Sequence, residues 1–165
     1  MYYKIKNRHR LKTKDIKKIL SELKNIFDKE FFDDKASLEI GDLENQKIVL
    51  VDDEPSLMYF ENKIFFTLKG LNKYQPNDKF VVVDMGAVKF VTNGADVMAP
   101  VIVDADEKIK EYELVWICDQ NHHKPLAIGV ALMSGKEMIV QKSGKAVKII
   151  HHVGDELWNF VTKQN

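Results

Sequence analysis

The sequence predicts an α+β protein in two parts, a small antiparallel sheet with one amphipathic helix followed by a second, mainly β part with short helices. Three observations predict it. Ile16, Ile19, Leu20, Leu23 and Phe27 recur at helical spacing. Between residues 36 and 68 the period shortens to apolar runs parted by turn-forming residues. From Val81 to Val101 a β-branched strand gives way to a helix stub bounded by glycines and then restarts at a proline.

In chain order, Tyr2 to Lys6 reads as a short strand with Tyr3 and Ile5 on one face, and Arg8-His9-Arg10-Leu11-Lys12 as a basic connection. Thr13 is placed to cap the helix, with Asp15 in the first turn where the helix dipole favours an acid. The apolar stripe faces the sheet, which leaves Lys14, Lys17, Lys18 and Lys24 on the outer side. Leu38 with Ile40, Ile48 to Val51, Leu57 to Phe60 and Ile64 to Phe66 read as successive antiparallel strands. Their turns fall at Gly41-Asp42, Asp52 to Pro55 and Glu61 to Lys63. Pro76-Asn77-Asp78 marks a boundary, giving domains at residues 1–77 and 78–165.

In the second part, Val81 to Val83 form a strand and Ala87, Val88 and Val91 share one face of the stub. Asn93-Gly94 ends that stub, and Met98-Ala99-Pro100 reads as extended. Asp104 to Lys108 reads as an exposed acidic connection, Tyr112 to Cys118 as a strand entering the core, and Asp119 to Pro125 as a polar hairpin loop. Leu126 to Met133 follows as a strand, with Gly129 marking a bulge or a close backbone approach. Ala146 to Ile150 is the last strand, and Trp158, Phe160 and Val161 lie on a closing helix.

Composition bounds the function. The chain has 165 residues, 45% hydrophobic and 30% charged, enough for a real core. Its one cysteine, Cys118, forbids an internal disulfide and suits a reducing, cytoplasmic location. No apolar run approaches the roughly 20 residues that span a bilayer, and the N-terminal residues have no signal-peptide pattern. The formal net charge is zero, but it is segregated: residues 1–24 carry nine Lys or Arg against two acids, and residues 28–61 carry eleven acids against three lysines. Such segregation steers an anionic partner to one face, while two solvated surfaces that neutralise one another remain the plain alternative.

No nucleotide-binding loop, nucleophile elbow or dinucleotide fingerprint occurs. Asp52-Asp53-Glu54 sits at a hairpin turn without a partnering histidine or phosphate loop, which favours a solvated turn over a Mg²⁺ or acid–base site. His122-His123, His151-His152 and Cys118 lack zinc-ligand spacing, and Cys118 lies in an apolar strand pattern. These features predict no cofactor, no metal and no enzyme.

Asp84 to Lys89, Asn93 to Asp96 and Met98-Ala99-Pro100 resemble the opening of the PUA domain, the RNA-binding module named after pseudouridine synthases and archaeosine transglycosylases. Pro125 to Ala131, Gly144 to His151 and Gly154 to Trp158 resemble its later strands and helix in the same order. With the N-terminal part, the whole chain is similar to archaeal counterparts of the malignant T-cell-amplified sequence protein and to the N-terminal part of ligatin. That resemblance implies a six-stranded PUA pseudobarrel that binds structured RNA without doing chemistry. Carried onto matching positions, it selects Gly86, Ala87, Lys89, Asn93, Gly94, Ala95, Pro100, Lys145 and Lys148 as RNA contacts. Arg8, Arg10, Lys14, Lys17 and Lys18 form a secondary basic surface. Glycines let a nucleic-acid backbone approach, and lysines neutralise phosphates without reading sequence. Val101 departs from the family's pattern, which usually has glycine after the proline.

The implied partners are tRNA or ribosomal RNA, the small ribosomal subunit or another translation factor, and no membrane. The implied role is in translation initiation or recycling. Two other readings stand beside it: an accessory RNA-binding subunit of an RNA-modifying enzyme, and a protein-interaction module using the acidic face.

Overall fold

A computed structural model describes residues 4–163. The chain packs as two compact units, one running up to Pro76 and taking in Phe160 onward, the other Asn77–Asn159. No helix among the described residues is long and apolar enough to cross a membrane.

The first unit comprises β1 (Lys6–Arg10), α1 (Thr13–Phe27), β2 (Leu38–Leu43), β3 (Gln46–Val51), β4 (Glu54–Phe60), β5 (Lys63–Phe66) and α2 (Leu68–Tyr74). Its strands form one antiparallel sheet in sequence order. The expected strand at the N-terminus falls partly on residues 1–3, outside the described residues, and strand structure instead occupies Lys6–Arg10. The stretch from Arg8 that reads as a connection is therefore mostly sheet edge.

Helix α1 buries Ile16, Ile19, Leu23 and Phe27, as the spacing predicts, while Leu20 is half-buried. Thr13 is the first helical residue rather than the cap: Lys12 holds the extended cap position, and no side chain caps the helix. The helix ends at Asp28, whose left-handed backbone (φ 52°) lets its N–H bond the Lys24 carbonyl. Phe27 packs on Phe65 and Phe66, at ring separations of 5.3 and 5.2 Å.

Two of the sheet's turns have both central residues at positive φ, Asp52-Asp53 and Glu61-Asn62. That twist matches a two-residue hairpin, and Asp and Asn tolerate it. Gly41-Asp42 is not a turn; both lie inside β2, and Glu44-Asn45 makes the reversal. Gly41 is needed for another reason, since a Cβ there would strike the Ile5 side chain and come within 3.3 Å of the Arg8 Cα. Helix α2 is an addition to the one-helix expectation. Thr67 caps it, accepting from the Gly70 N–H at 3.1 Å and donating to the Pro55 carbonyl at 2.8 Å.

The second unit comprises β6 (Phe80–Val83), α3 (Val88–Val91), β7 (Val97–Met98), β8 (Ile102–Ala105), β9 (Leu114–Asp119), β10 (Pro125–Ala131), α4 (Gly135–Val140) and β11 (Lys145–His152), with α5 (Glu156–Lys163) crossing the division between the units. The sheet order is β7-β11-β10-β9-β6-β8, with β6 and β9 parallel and the other pairs antiparallel. Its two edge strands, β7 and β8, are joined only by the 3₁₀ turn Ala99–Val101. The sheet must therefore curl until its edges meet, which makes a nearly closed barrel. Val81, Val83, Ala87, Val91, Val115, Ile117, Ala127 and Val147 are among the side chains that fill it.

Several local expectations change here. Ala99-Pro100 is not extended but opens the 3₁₀ turn, where a proline is tolerated in the first turn because its missing N–H has no partner to lose. Asp104 belongs to β8, and Asp106 is buried, accepting from the backbone N–H of Lys79 at 2.7 Å and of Lys108 at 3.0 Å. Helix α4 is a further addition, closed by a Ser134/Glu137 capping box. Gly129 fulfils both readings given to it: the β10–β11 register shifts between Ile128 and Gly129, and a Cβ there would collide with the Val147 side chain and lie 2.5 Å from the Lys148 carbonyl.

Candidate nucleic-acid interface

The candidate interface grows out of the end of β6. Asp84 turns the chain, its carboxylate accepting from the Ala87 N–H at 3.0 Å while its own N–H donates to the Val101 carbonyl at 2.9 Å. Met85–Ala87 then form a 3₁₀ turn that runs into α3. Because Ala87 and Val91 are buried and Val88 packs against the same core, Lys89 and Phe90 are left facing outward. Gly86 is exposed, and a Cβ there would meet only the Asp84 carboxylate, at 3.4 Å. That leaves room for another backbone. Ala87, in contrast, is a core residue whose side chain has no surface to offer.

The chain leaving α3 is pinned to β11. Gly94 has φ 88°, and a Cβ would sit 3.0 Å from the His152 Nε2. The left-handed backbone thus favours glycine, and a Cβ would also press on the imidazole behind it. The Ala95 N–H donates back to the Phe90 carbonyl at 3.0 Å. Asp96 bridges to β11, accepting from the Ile149 N–H at 3.0 Å and pairing with the Lys145 ammonium at 3.0 Å. Burial alone would raise the Asp96 pKa, but these partners outweigh it and hold the carboxyl below its ordinary range. Strand β7 then pairs with β11, Met98 opposite Lys145 and Val97 opposite Val147.

The structure therefore joins Gly94 and Ala95 to β11, the strand that carries Lys145 and Lys148. Both lysines are exposed, as are Asn93 and Pro100. They are not equivalent, since Lys145 is already paired with Asp96. Val101 is partly buried, its side chain packed against the barrel core.

Sequence reasoning missed the apolar part of this edge. Phe90 is 62% exposed, and Met85 and Met98 are each 44% exposed. The signal was present, because a short helical segment that buries Ala87 in its leading 3₁₀ turn and Val91 at its end must turn position 90 outward. An exposed aromatic ring beside a lysine is the arrangement that single-stranded bases stack on.

The secondary basic residues lie in the first unit. Arg8 spends its charge internally, forking onto Glu39 with two bonds of 2.9 Å and reaching Asp53 at 2.6 Å. Arg10 reaches the Ser37 hydroxyl at 3.4 Å. Lys14, Lys17 and Lys18 stand exposed on α1. Among the described residues no group of three His, Cys, Asp or Glu side chains is arranged to hold a metal. His151 is buried and bonds Asp155 through Nδ1 at 2.9 Å. Cys118 is also buried, and burial, followed by the neighbouring Asp119 and Asp104, pushes its thiol pKa up to about 12.

The sequence matches two family descriptions, "PUA domain" over residues 79–153 and "Domain of unknown function (DUF1947)" over residues 7–74. An uncharacterised protein of Methanocaldococcus jannaschii is 49% identical over 94% of this chain and 98% of its own. Translation machinery-associated protein 20 of Saccharomyces cerevisiae is 32% identical over 91% of this chain and 86% of its own. The chain belongs to that family. Malignant T-cell-amplified sequence 1 of Danio rerio is 30% identical over 72% of this chain and 68% of its own, which bears out the resemblance read from the motifs. Among solved structures, a hypothetical protein of Pyrococcus horikoshii superposes with a TM-score of 0.86 at 40% identity, covering 93% of this chain and 99% of that one. The PUA description falls on the second unit, and the name Translation machinery-associated protein 20 ties that relative to the translation machinery.

Proposed function

We propose that this protein is a non-catalytic RNA-binding component of translation, which holds tRNA or small-subunit ribosomal RNA against the edge formed by α3, residues 92–98 and β11. The observation that carries the reading is the outward pair Lys89–Phe90, beside a loop tied to the strand bearing Lys148. Lysines supply the phosphate term, Phe90 supplies a stacking face, and Gly86 leaves space for a backbone. The translation-associated relatives favour the structured RNAs of that machinery as ligands, and a cytoplasmic site of action follows. Asn93, Gly94 and Ala95 act mainly by setting the loop's path, and Lys145 contributes less than Lys148 because Asp96 already neutralises it. The exposed lysines of α1 add a second, weaker electrostatic contact.

Crosslinking RNA to the full chain in cells, followed by sequencing of the attached fragments, tests this reading. Enrichment of tRNA ends or small-subunit RNA is expected. Recovery of an unmodified RNA precursor together with a modifying enzyme would transfer the protein to the accessory-subunit class, and retention of a protein partner without RNA would remove the RNA reading.

A further inference from the structure

The first unit carries a cleft that the RNA-binding edge does not use. Its volume is about 550 Å³, within the usual range for small-ligand sites. Strand register explains its floor. Ile40 pairs with Val49 and Asp42 with Lys47, while Val49 pairs with Leu57 and Tyr59 lies two residues beyond Leu57 on β4. With a period of two, Ile40, Lys47 and Tyr59 share one sheet face. Lys18 and Glu22, one turn apart on α1, form the wall, and the hairpin turns bring Asn45, Glu61 and Asn62 to the rim.

Apart from Lys47, which pairs with Asp42 at 2.9 Å, the charged and amide groups around this cleft are unspent. Lys18, Glu22, Asn45, Glu61 and Asn62 make no side-chain hydrogen bond or ion pair among the described residues, although other surface charges such as Arg8, Lys73 and Lys108 are paired. Two primary amides, two carboxylates and the unpaired cation of Lys18 therefore line the cleft beside a half-buried aromatic ring, with the paired Lys47 as a second cation. Burial, and then Glu22 and Asp15, push the Tyr59 phenol up to about 12, so it stays a neutral donor.

We propose that this cleft is a second RNA contact that takes one unstacked nucleotide, an inference that rests on the RNA-binding reading above. The base lies against Tyr59 and Ile40. The amides of Asn45 and Asn62 pair with its edge, each offering both a donor and an acceptor. Glu22 and Glu61 accept from an exocyclic amino group, and Lys18 meets the phosphate. Lys14 and Lys17 on the same helix continue that cationic track, which gives the flanking backbone a path. A basic peptide side chain would satisfy the carboxylates but would face Lys18 and leave both amides unmatched.

The test is NMR titration of the full chain with the 5′-monophosphates of adenosine, guanosine, cytidine and uridine, alongside inorganic phosphate and a short lysine-rich peptide. Saturable shifts at the Asn45, Lys47, Tyr59 and Asn62 amides and at both asparagine side-chain NH₂ groups are expected. The three bases that carry an amino group should bind more tightly than uridine. Asn45→Ala, in an exposed turn, should weaken binding roughly fivefold, and Lys18→Glu should weaken it further, with the rest of the spectrum unchanged. Absence of shifts with every nucleotide, equal shifts with phosphate alone, or shifts with the peptide alone would each overturn the proposal. The Lys89→Glu plus Lys148→Glu variant should keep the cleft response. Its RNA binding reports on the edge of the second unit separately, so either reading can fail without the other.

Discussion

Phe90 offers the sharpest single perturbation. The ring is 62% exposed on α3, and complete burial of a phenylalanine side chain contributes about 1.5–3 kcal/mol. Truncation to alanine should therefore cost the fold less than about 1 kcal/mol, partly offset by alanine's better helix propensity. RNA affinity should respond far more. Stacking of one base on an aromatic ring is worth about 1–3 kcal/mol, which corresponds to roughly a 5- to 150-fold loss. Fluorescence anisotropy with labelled tRNA and with a small-subunit RNA fragment, at one fixed salt concentration, reads this directly. Phe90→Trp should retain affinity, because the stacking face is kept. Unchanged binding by Phe90→Ala, in a preparation where Lys148→Glu does weaken binding, would refute the stacking role.

Three further outcomes follow from the same structure. Gly129→Ala should destabilise the protein by about 1–3 kcal/mol, lowering its thermal midpoint by roughly 2–12 °C, because the new Cβ meets the Lys148 backbone, which cannot swing away. Asp155 is held below its ordinary carboxylate pKa: burial would raise it, but the His151 hydrogen bond and charge and the backbone N–H groups of Trp158 and His152 prevail. A depressed carboxylate contributes stability above its unfolded pKa of about 3.9 that disappears as pH falls through the folded value. Asp155→Asn should accordingly lower stability at neutral pH and flatten the loss seen on acidification below about pH 4 in a chemical-denaturation series. Cys118, buried and with its thiol pushed up to about 12, should resist a thiol reagent at mildly alkaline pH until denaturant is added; rapid labelling of the native protein would contradict that.

The legible parts were those where one local rule decides the outcome. The stripe from Ile16 to Phe27 could bury only one face, and it does. Asp52-Asp53 and Glu61-Asn62 sit between apolar runs and adopt the left-handed pair that a tight hairpin demands. What was misread depended on distant chain. Gly41 looks like a turn residue, yet its missing side chain makes way for Ile5 and the backbone of β1. Arg8 looks like a free cation, yet Glu39 and Asp53 surround it. Lys145 is compromised by Asp96, a residue 49 positions earlier that no local pattern joins to it. Phe90 and the Ser134/Glu137 capping box are different, since both were readable. An apolar residue next to a buried helix face reads as core, which masks Phe90, and the helix behind the box is only six residues long, which leaves little periodicity to read.

If the edge of the PUA barrel carries RNA, binding must depend steeply on salt. The full chain and its Lys89→Glu plus Lys148→Glu variant should be titrated with tRNA and with small-subunit RNA across a range of monovalent salt. Log affinity should fall linearly with log salt, and the variant should lose affinity broadly. Its slope should be shallower by about 0.7–0.9 for each phosphate contact removed. No binding to either RNA at low salt, or a variant whose affinity and slope match the parent's, would contradict that role of the edge.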